Sequence, residues 1–227
     1  RGIIDHTSNF VLLEYYNGLC LMNIKTGEVI YKKDKIDKSL YNADLHFQNN
    51  KVYIPTEKKS MLLFDFNSQS LEEIRLEKVG ATTWIKFNSD QTKIIISDKR
   101  NCLHCFETNS FETPLWTIDF SKFKTDSRIC PSPILTTKCG LGCILATRPT
   151  LNSVGYCKGS IYIFDLTTGA VLCNYEYANI GHKLVTDIMT DEVIVDDLTS
   201  FSLTKTVFSK TTFSLNSSSF LRSIKFS

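Results

Sequence analysis

The chain has 227 residues, of which 42% are hydrophobic and 22% are charged, and its formal net charge is +2. The 15 Phe, 9 Tyr and 2 Trp provide too much apolar surface for a disordered chain. No apolar run approaches the roughly 20 residues that a membrane-spanning helix needs. The composition therefore indicates a folded globular protein.

Strand signals begin with a predicted hairpin, in which residues 10–16 and 19–24 flank the dipeptide Asn17-Gly18. Asn-Gly is typical of two-residue turns because it accepts positive φ at both positions. Short apolar runs of strand length then recur along the chain, at residues 51–54, 61–66, 93–97, 143–147 and 160–166. Regularly spaced short strands indicate an all-β sandwich, barrel or propeller.

A repeat distinguishes among these architectures. Four segments share an apolar strand, a small or polar turn and a second strand: residues 21–29, 63–71, 103–111 and 163–171. Their turn residues, Gly27, Gln69, Asn109 and Gly169, are 42, 40 and 60 residues apart, and the long interval contains an insertion at 148–159. A period near 40 with four strands per unit predicts a β-propeller.

The same segments carry a family resemblance. Ile163-Phe-Asp-Leu-Thr-Thr-Gly169 resembles the third strand and turn of a WD-repeat blade, with Phe164 in the place of the Trp and Asp165 in that of the Asp. Phe64-Asp65 repeats the pairing, and residues 87–97 are similar to the strands that open such blades. Quinoprotein-like propellers share this turn pattern. The resemblance implies a propeller fold and leaves the function open.

Strand counting predicts one domain over residues 1–227 with about five four-stranded blades. The blades are expected at 1–31, 44–76, 82–120, 133–177 and 184–215, and residues 220–226 are expected to close the ring. The alternative fold is a two-sheet β-sandwich with coincidental spacing.

Eight cysteines are spread along the chain, several of them inside apolar runs such as Cys143-Ile-Leu. A disulfide scaffold would be smaller and denser in Cys, and free Cys is common in protein cores. We therefore predict reduced thiols and a cytoplasmic protein.

One spacing resembles a zinc site: Cys102-Leu-His-Cys105 is followed by Cys139-Gly-Leu-Gly-Cys143. Structural zinc requires ligands that converge on one point. Residues three apart on a strand point to opposite faces, so Cys102 and Cys105 should not chelate together. We predict neither a metal site nor a cofactor.

Catalytic signatures are lacking in the sequence, which contains no phosphate-binding glycine loop, no Gly-x-Ser-x-Gly and no His-Glu-x-x-His. His104 is expected to be a hydrogen-bonded core residue. Asp44, Asp187 and Asp196 could lie near a propeller axis, where five-bladed glycosidases place their acids. Because no glycan-stacking Trp accompanies these acids, we predict no catalytic residue and no enzyme.

Charge is unevenly distributed along the predicted turns. The second-to-third turns and the links between blades should emerge on one rim, and they contain fifteen basic side chains against six acidic ones. Such a rim attracts a ligand of opposite charge. The residues predicted to bind a partner are Lys32, Lys33, Lys35, Lys38, Tyr41, Phe123, Lys124, Arg128, Arg148, Tyr156 and Lys158.

The function predicted from the sequence is a non-enzymatic protein–protein interaction module that binds an acidic protein through this rim. Nucleic acid and a phosphorylated headgroup are the less favoured ligands. The alternative is a bacterial toxin-neutralising (immunity) protein, and the third reading is a five-bladed glycosidase-like enzyme.

Overall fold

The computed structural model describes residues 1–16, 18–36, 40–123, 129, 134–138, 140–147, 159–177, 183–187, 192–199 and 202–208. The chain divides into two compact units, Arg1–Lys122 and Phe123–Ser227, and each is treated separately below. Helix in these residues is confined to two single 3-10 turns, Leu40–Asn42 and Phe120–Lys122. No helix among them is long and apolar enough to cross a membrane.

The first unit contains three antiparallel sheets of four strands each, and each sheet follows chain order. Sheet one consists of β1 (Gly2–Ile4), β2 (Phe10–Tyr15), β3 (Gly18–Asn23) and β4 (Val29–Asp34). Sheet two consists of β5 (Asp44–His46), β6 (Lys51–Pro55), β7 (Ser60–Asp65) and β8 (Ser70–Arg75). Sheet three consists of β9 (Thr82–Phe87), β10 (Lys93–Asp98), β11 (Cys102–Glu107) and β12 (Trp116–Asp119).

The second unit contains two further sheets. Sheet four consists of β13 (Ile134–Thr136), β14 (Leu141–Thr147), β15 (Gly159–Asp165) and β16 (Val171–Tyr177). Sheet five consists of β17 (Lys183–Asp187), β18 (Glu192–Thr199) and β19 (Ser202–Phe208). The expected strands at 212–215 and 220–226 lie outside the described residues.

Each run of neighbouring strands stays within one sheet, as in the blades of a propeller. In a two-sheet sandwich, successive hairpins would divide between two layers. The predicted all-β propeller class is therefore confirmed, with four four-stranded sheets among the residues described.

The two central strands of sheet two, β6 and β7, are buried on both faces, which is why they are mostly apolar. One face joins a cluster with sheet one, made of Leu12, Leu19, Leu21, Leu40, Val52, Ile54, Phe64 and Phe66. The other face joins a cluster with sheet three, made of Tyr53, Met61, Leu63, Leu76, Val79, Ile85, Phe87, Ile94, Ile96 and Phe106. Alternation along β6 sends Val52 and Tyr53 to opposite clusters.

Three of the four repeated turns predicted from the sequence share one structure, whereas the fourth, at Asn109, has no left-handed residue at that position. At the end of the third strand, Asn23, Asp65 and Asp165 each accept hydrogen bonds from the backbone N–H groups two and three residues ahead. The turn then passes through a left-handed residue, which is Gly27, Gln69 or Gly169 with φ of 71°, 53° and 71°. The aspartate of the sequence pattern is therefore a turn cap.

Two details of sheet one differ from the sequence prediction. Gly18 is not a turn residue but the first residue of β3, paired with Tyr15 and Asp34. A Cβ on Gly18 would lie 2.1 Å from the carbonyl oxygen of Lys33, so close strand approach selects glycine there. In addition, β4 ends at Asp34 rather than near residue 31, because its pairing with β3 continues through Lys32 and Lys33.

Candidate functional site

Three connections of the first unit lie side by side at one end of sheets two and three. They are the β6–β7 turn, the β8–β9 link and the β10–β11 turn, and we call residues 56–59, 76–81 and 99–101 together the lysine rim. Backbone hydrogen bonds hold them together: Thr82 N donates to Lys58 O at 2.8 Å, and Lys99 N donates to Ala81 O at 2.8 Å. The predicted grouping of these connections on one rim is therefore observed in this unit.

The lysine rim is predominantly positive. Its exposed charged side chains are five cations, Lys58, Lys59, Lys78, Lys99 and Arg100, and two carboxylates, Glu57 and Glu77. Lys99 Nζ lies 2.5 Å from Glu57 Oε2, and Arg100 donates through a terminal nitrogen to Lys78 O at 3.0 Å. An excess of exposed cations attracts anions from solution.

Asp98 lies directly beneath this rim, at the end of β10, and its side chain is fully buried. Its Oδ1 accepts hydrogen bonds from the backbone N–H groups of Arg100 and Cys102. Its Oδ2 accepts from Gly80 N at 2.7 Å, contacts His104 Nε2 at 3.1 Å and accepts from Arg100 Nε at 3.2 Å. Burial by itself raises the pKa of Asp98, but the bonds from His104, Gly80 and Cys102 outweigh it and lower the pKa to about 2.

His104 continues this network towards the surface. Its ring is 3% exposed, and its Nδ1 lies 3.1 Å from the hydroxyl oxygen of Thr117 on β12. The expectation that His104 is a buried, hydrogen-bonded residue is confirmed. A carboxylate, an imidazole and a hydroxyl thus form a chain of contacts from the buried Asp98 to the exposed Thr117.

Cys102 is the third reactive side chain of this group, after Asp98 and His104. It is half-buried, and burial together with the nearby carboxylates of Asp98 and Asp119 raises the pKa of its thiol to about 11. Donor atoms of Asp98, Cys102 and His104 all lie within 4.8 Å of one another. Among the residues described, these three could hold a metal ion.

Cys105 does not join this group. It follows Cys102 by three positions on β11, so it occupies the opposite face and is fully buried. The alternation argument against joint chelation by Cys102 and Cys105 therefore holds. The signal that sequence reasoning missed is the spacing Cys102-Leu-His104, because residues two apart on a strand share a face.

Five of the eleven residues predicted to bind a partner lie in the described part of the chain. Lys32 and Lys33 are exposed on β4, and Lys35 follows it with a φ of 59°. Lys32 lies 3.7 Å from Asp34 and over the ring of Tyr15. Their role in binding stays a prediction.

The two described aromatic residues of the predicted binding set make contacts within their own units. Tyr41 is 60% exposed, packs against Trp84 and lies under the guanidinium of Arg1. Phe123 packs against Tyr162 with ring centroids 5.3 Å apart. The other predicted binding residues lie outside the described residues: Lys38, Lys124, Arg128, Arg148, Tyr156 and Lys158.

The acids considered for glycosidase chemistry belong to both units, Asp44 to the first and Asp187 and Asp196 to the second. Asp44 Oδ2 accepts a hydrogen bond from Phe87 N at 2.9 Å and lies 3.1 Å from Lys86 Nζ, so it links sheets two and three. Asp187 and Asp196 lie on β17 and β18 in the second unit.

Comparison with solved structures finds the same fold in two enzymes. One is Kuenenia stuttgartiensis hydrazine synthase, with a TM-score of 0.60 and 12% identity over 91% of this chain and 60% of that one. The other is dihydro-heme d1 dehydrogenase NirN in complex with DHE, with a TM-score of 0.64 and 10% identity over 86% of this chain and 41% of that one. This chain therefore spans less than two thirds of either enzyme.

No family model and no curated protein matches the sequence. At 10% and 12% identity, the structural likeness establishes the propeller-type fold.

The comparison corrects the functional prediction. The two neighbours are enzymes by name, one a synthase and the other a dehydrogenase. They contradict the prediction that this protein is not an enzyme. They therefore also contradict its two predicted functions, a non-enzymatic interaction module and a toxin-neutralising protein. The physical reason for the error is that a basic rim has the same charge pattern whether it binds a partner protein or an anionic substrate.

Proposed function

We propose that this chain is the propeller domain of an enzyme, and that the lysine rim binds an anionic group of the substrate. The observation that carries the proposal is the alignment of three connections, which places five exposed cations against two exposed carboxylates at one end of sheets two and three. The enzyme neighbours support the catalytic part of the proposal.

The chemistry of the rim suits carboxylates and phosphates. The side chain of Arg100 is 56% exposed while its Nε is held by Asp98, so the guanidinium is oriented and can donate in a planar fork. Lys58 and Lys59 add exposed positive charges on the same rim. We include in the proposal the finer resemblance to WD-repeat-like or quinoprotein-like propellers, which the capped turns at Asn23, Asp65 and Asp165 support.

The binding step is tested by calorimetric titration of the full chain with pyrophosphate and with citrate. Lys58→Glu and Lys59→Glu should each weaken binding roughly fivefold, because reversing one nearby exposed charge changes the binding free energy by about 1 kcal/mol. Lys25→Glu is the matched control, since Lys25 is an exposed turn lysine between β3 and β4. Equal losses in all three variants, or no binding of either anion, would contradict the proposal.

The catalytic step is tested by incubating the purified chain with a mixture of anionic metabolites and following masses over time. We expect a product whose rate of formation falls in Lys58→Glu and Lys59→Glu and is unchanged in Lys25→Glu. A mixture in which no mass changes would count against an enzymatic propeller.

A further inference from the structure

The cluster beneath the lysine rim combines three kinds of donor atom on a rigid frame. Asp98 ends β10, and Cys102 and His104 are the first and third residues of β11, so their side chains share one face of sheet three. Their carboxylate oxygen, thiol sulfur and imidazole nitrogen lie within 4.8 Å of one another. We propose that these three residues form a mononuclear site for a divalent transition metal, with Zn²⁺ the best match.

The donor set fits zinc in type and number. Zn²⁺ takes thiolate, imidazole and carboxylate ligands in tetrahedral geometry, at about 2.3 Å for sulfur and about 2.0–2.2 Å for nitrogen and oxygen. The 3.1 Å between Asp98 Oδ2 and His104 Nε2 is a few tenths of an ångström shorter than the roughly 3.4 Å between two such ligands of one tetrahedral ion, so a small outward movement admits the metal. Three protein ligands leave a fourth position, and half-buried Cys102 and exposed Arg100 give that position access to solvent.

The surroundings hold the ligands in place without occupying all their lone pairs. Asp98 Oδ1 is fixed by the backbone N–H groups of Arg100 and Cys102, and Oδ2 retains its bond from Gly80 N when its other lone pair turns to the metal. The contact of His104 Nδ1 with Thr117 Oγ1 can persist when Nε2 exchanges its contact with Asp98 Oδ2 for the ion. Outer partners of this kind orient ligating imidazoles.

Metal binding at this site has a defined proton balance. The Cys102 thiol loses one proton to solvent and binds as thiolate. The imidazole of His104 changes tautomer: Nε2, which donates to Asp98 Oδ2 in the metal-free site, gives its proton to solvent and binds the metal, while Nδ1 takes up one proton and donates to Thr117 Oγ1. The Arg100 guanidinium gives up its 3.2 Å contact with Asp98 Oδ2 to the ion and keeps its hydrogen bond to Lys78 O on the rim.

Cobalt(II) titration of the full chain tests the site directly, because a thiolate ligand gives an intense near-ultraviolet charge-transfer band and tetrahedral geometry gives strong visible bands. We expect one equivalent to produce both bands and Zn²⁺ to displace it. Cys102→Ser should abolish the charge-transfer band, and Thr117→Val should weaken the affinity by about 10-fold through loss of the outer partner. Cys20→Ser is the matched control, since Cys20 is half-buried on β3 of another sheet.

Circular dichroism and thermal melting should show that each variant keeps the fold of the parent protein. The proposal is overturned when the parent shows no charge-transfer band, or when Cys102→Ser keeps it while Cys20→Ser or another cysteine variant loses it. A Cys102→Ser protein that fails to fold is replaced by Cys102→Ala, with the same expected loss. The inference does not rest on anion binding, because metal binding is measured in the absence of substrate. The Lys58→Glu variant should therefore bind cobalt as the parent does.

Discussion

At the residue scale, one backbone conformation recurs with different side chains. The turn after the third strand places Gly27, Gln69 and Gly169 in the left-handed region. Glycine adopts that region freely, whereas a residue with a Cβ is strained by about 1 kcal/mol there. Sheet two therefore carries a cost at Gln69 that sheets one and four avoid at this turn.

Gln69→Gly should stabilise the protein by about 0.5 kcal/mol, because relief of backbone strain exceeds the extra chain entropy of glycine in the unfolded state. Urea denaturation followed by fluorescence gives the difference in free energy of unfolding. A loss of stability in this variant would contradict the strain argument.

The matched control is Gln91, which also has a positive φ of 61°. Its side chain, unlike the exposed Gln69 side chain, ties two sheets: Nε2 donates to Leu45 O at 3.1 Å and Oε1 accepts from Gln48 N at 3.2 Å. Gln91→Gly loses both bonds and should lower the free energy of unfolding by about 1 kcal/mol despite the same backbone relief.

The buried carboxylate of Asp98 makes stability depend on acid pH. Its pKa is about 2 in the folded protein against 3.8 for the ordinary group, so the unfolded chain takes up its proton first as pH falls. The contribution, about 2 kcal/mol, is therefore complete above about pH 4 and is lost as pH falls towards 2.

Asp98→Asn should flatten the pH dependence of the free energy of unfolding between pH 4 and 2, as measured by urea denaturation at each pH. Asp90 is the control, because its pKa is also lowered, by hydrogen bonds from Thr92, but its side chain lies in an exposed turn. Asp90→Asn should change the slope much less, since solvent screens exposed charges. An unchanged slope in Asp98→Asn would exclude the buried carboxylate as the cause.

At the element scale, the two central strands of sheet four leave no room for a side chain at Gly142, where an added Cβ would also lie 2.9 Å from Leu166 Cδ2. Gly142 on β14 is paired with Phe164 on β15. A Cβ on Gly142 would lie 2.2 Å from Cε2 and 2.4 Å from Cζ of that fully buried ring. The phenyl ring of Phe164 therefore occupies the space that a side chain at position 142 would need.

Gly142→Ala should destabilise the protein by about 1–3 kcal/mol through overpacking. In a Phe164→Leu background the same change should cost clearly less, because leucine lacks the two ring atoms that the new methyl group meets. A double-mutant cycle by urea denaturation measures this coupling, expected at about 1 kcal/mol. Additive effects of the two substitutions would show that the ring does not limit position 142.

At the scale of the whole molecule, a net charge of only +2 conceals a local excess of positive charge. The lysine rim collects cations from three connections that are separated by about 20 residues each along the chain, because the antiparallel strands between them return to the same end of their sheets. The cluster of Asp98, Cys102 and His104, of which Cys102 is half-buried, lies under that rim. Anion binding and metal binding would thus occur in neighbouring parts of the first unit.

The sequence by itself was sufficient for the fold class. Apolar strands of ordinary length, a period near 40 residues and turn residues at Gly27, Gln69 and Gly169 are local features, and local backbone preferences are what a sequence displays most directly. Strand alternation is also a local feature. It allowed the prediction that His104 is buried and hydrogen-bonded and that Cys102 and Cys105 lie on opposite faces of a strand.

Only the tertiary structure decided which side chains meet. Asp98 is joined to Gly80 from the preceding link, to His104 from the next strand and, through His104, to Thr117 from the strand after that. Gly18 likewise lies in a strand rather than a turn because it pairs with Tyr15 and Asp34. Such contacts depend on strand register and sheet pairing. Many residues together determine the register, so no single position of the sequence reveals it.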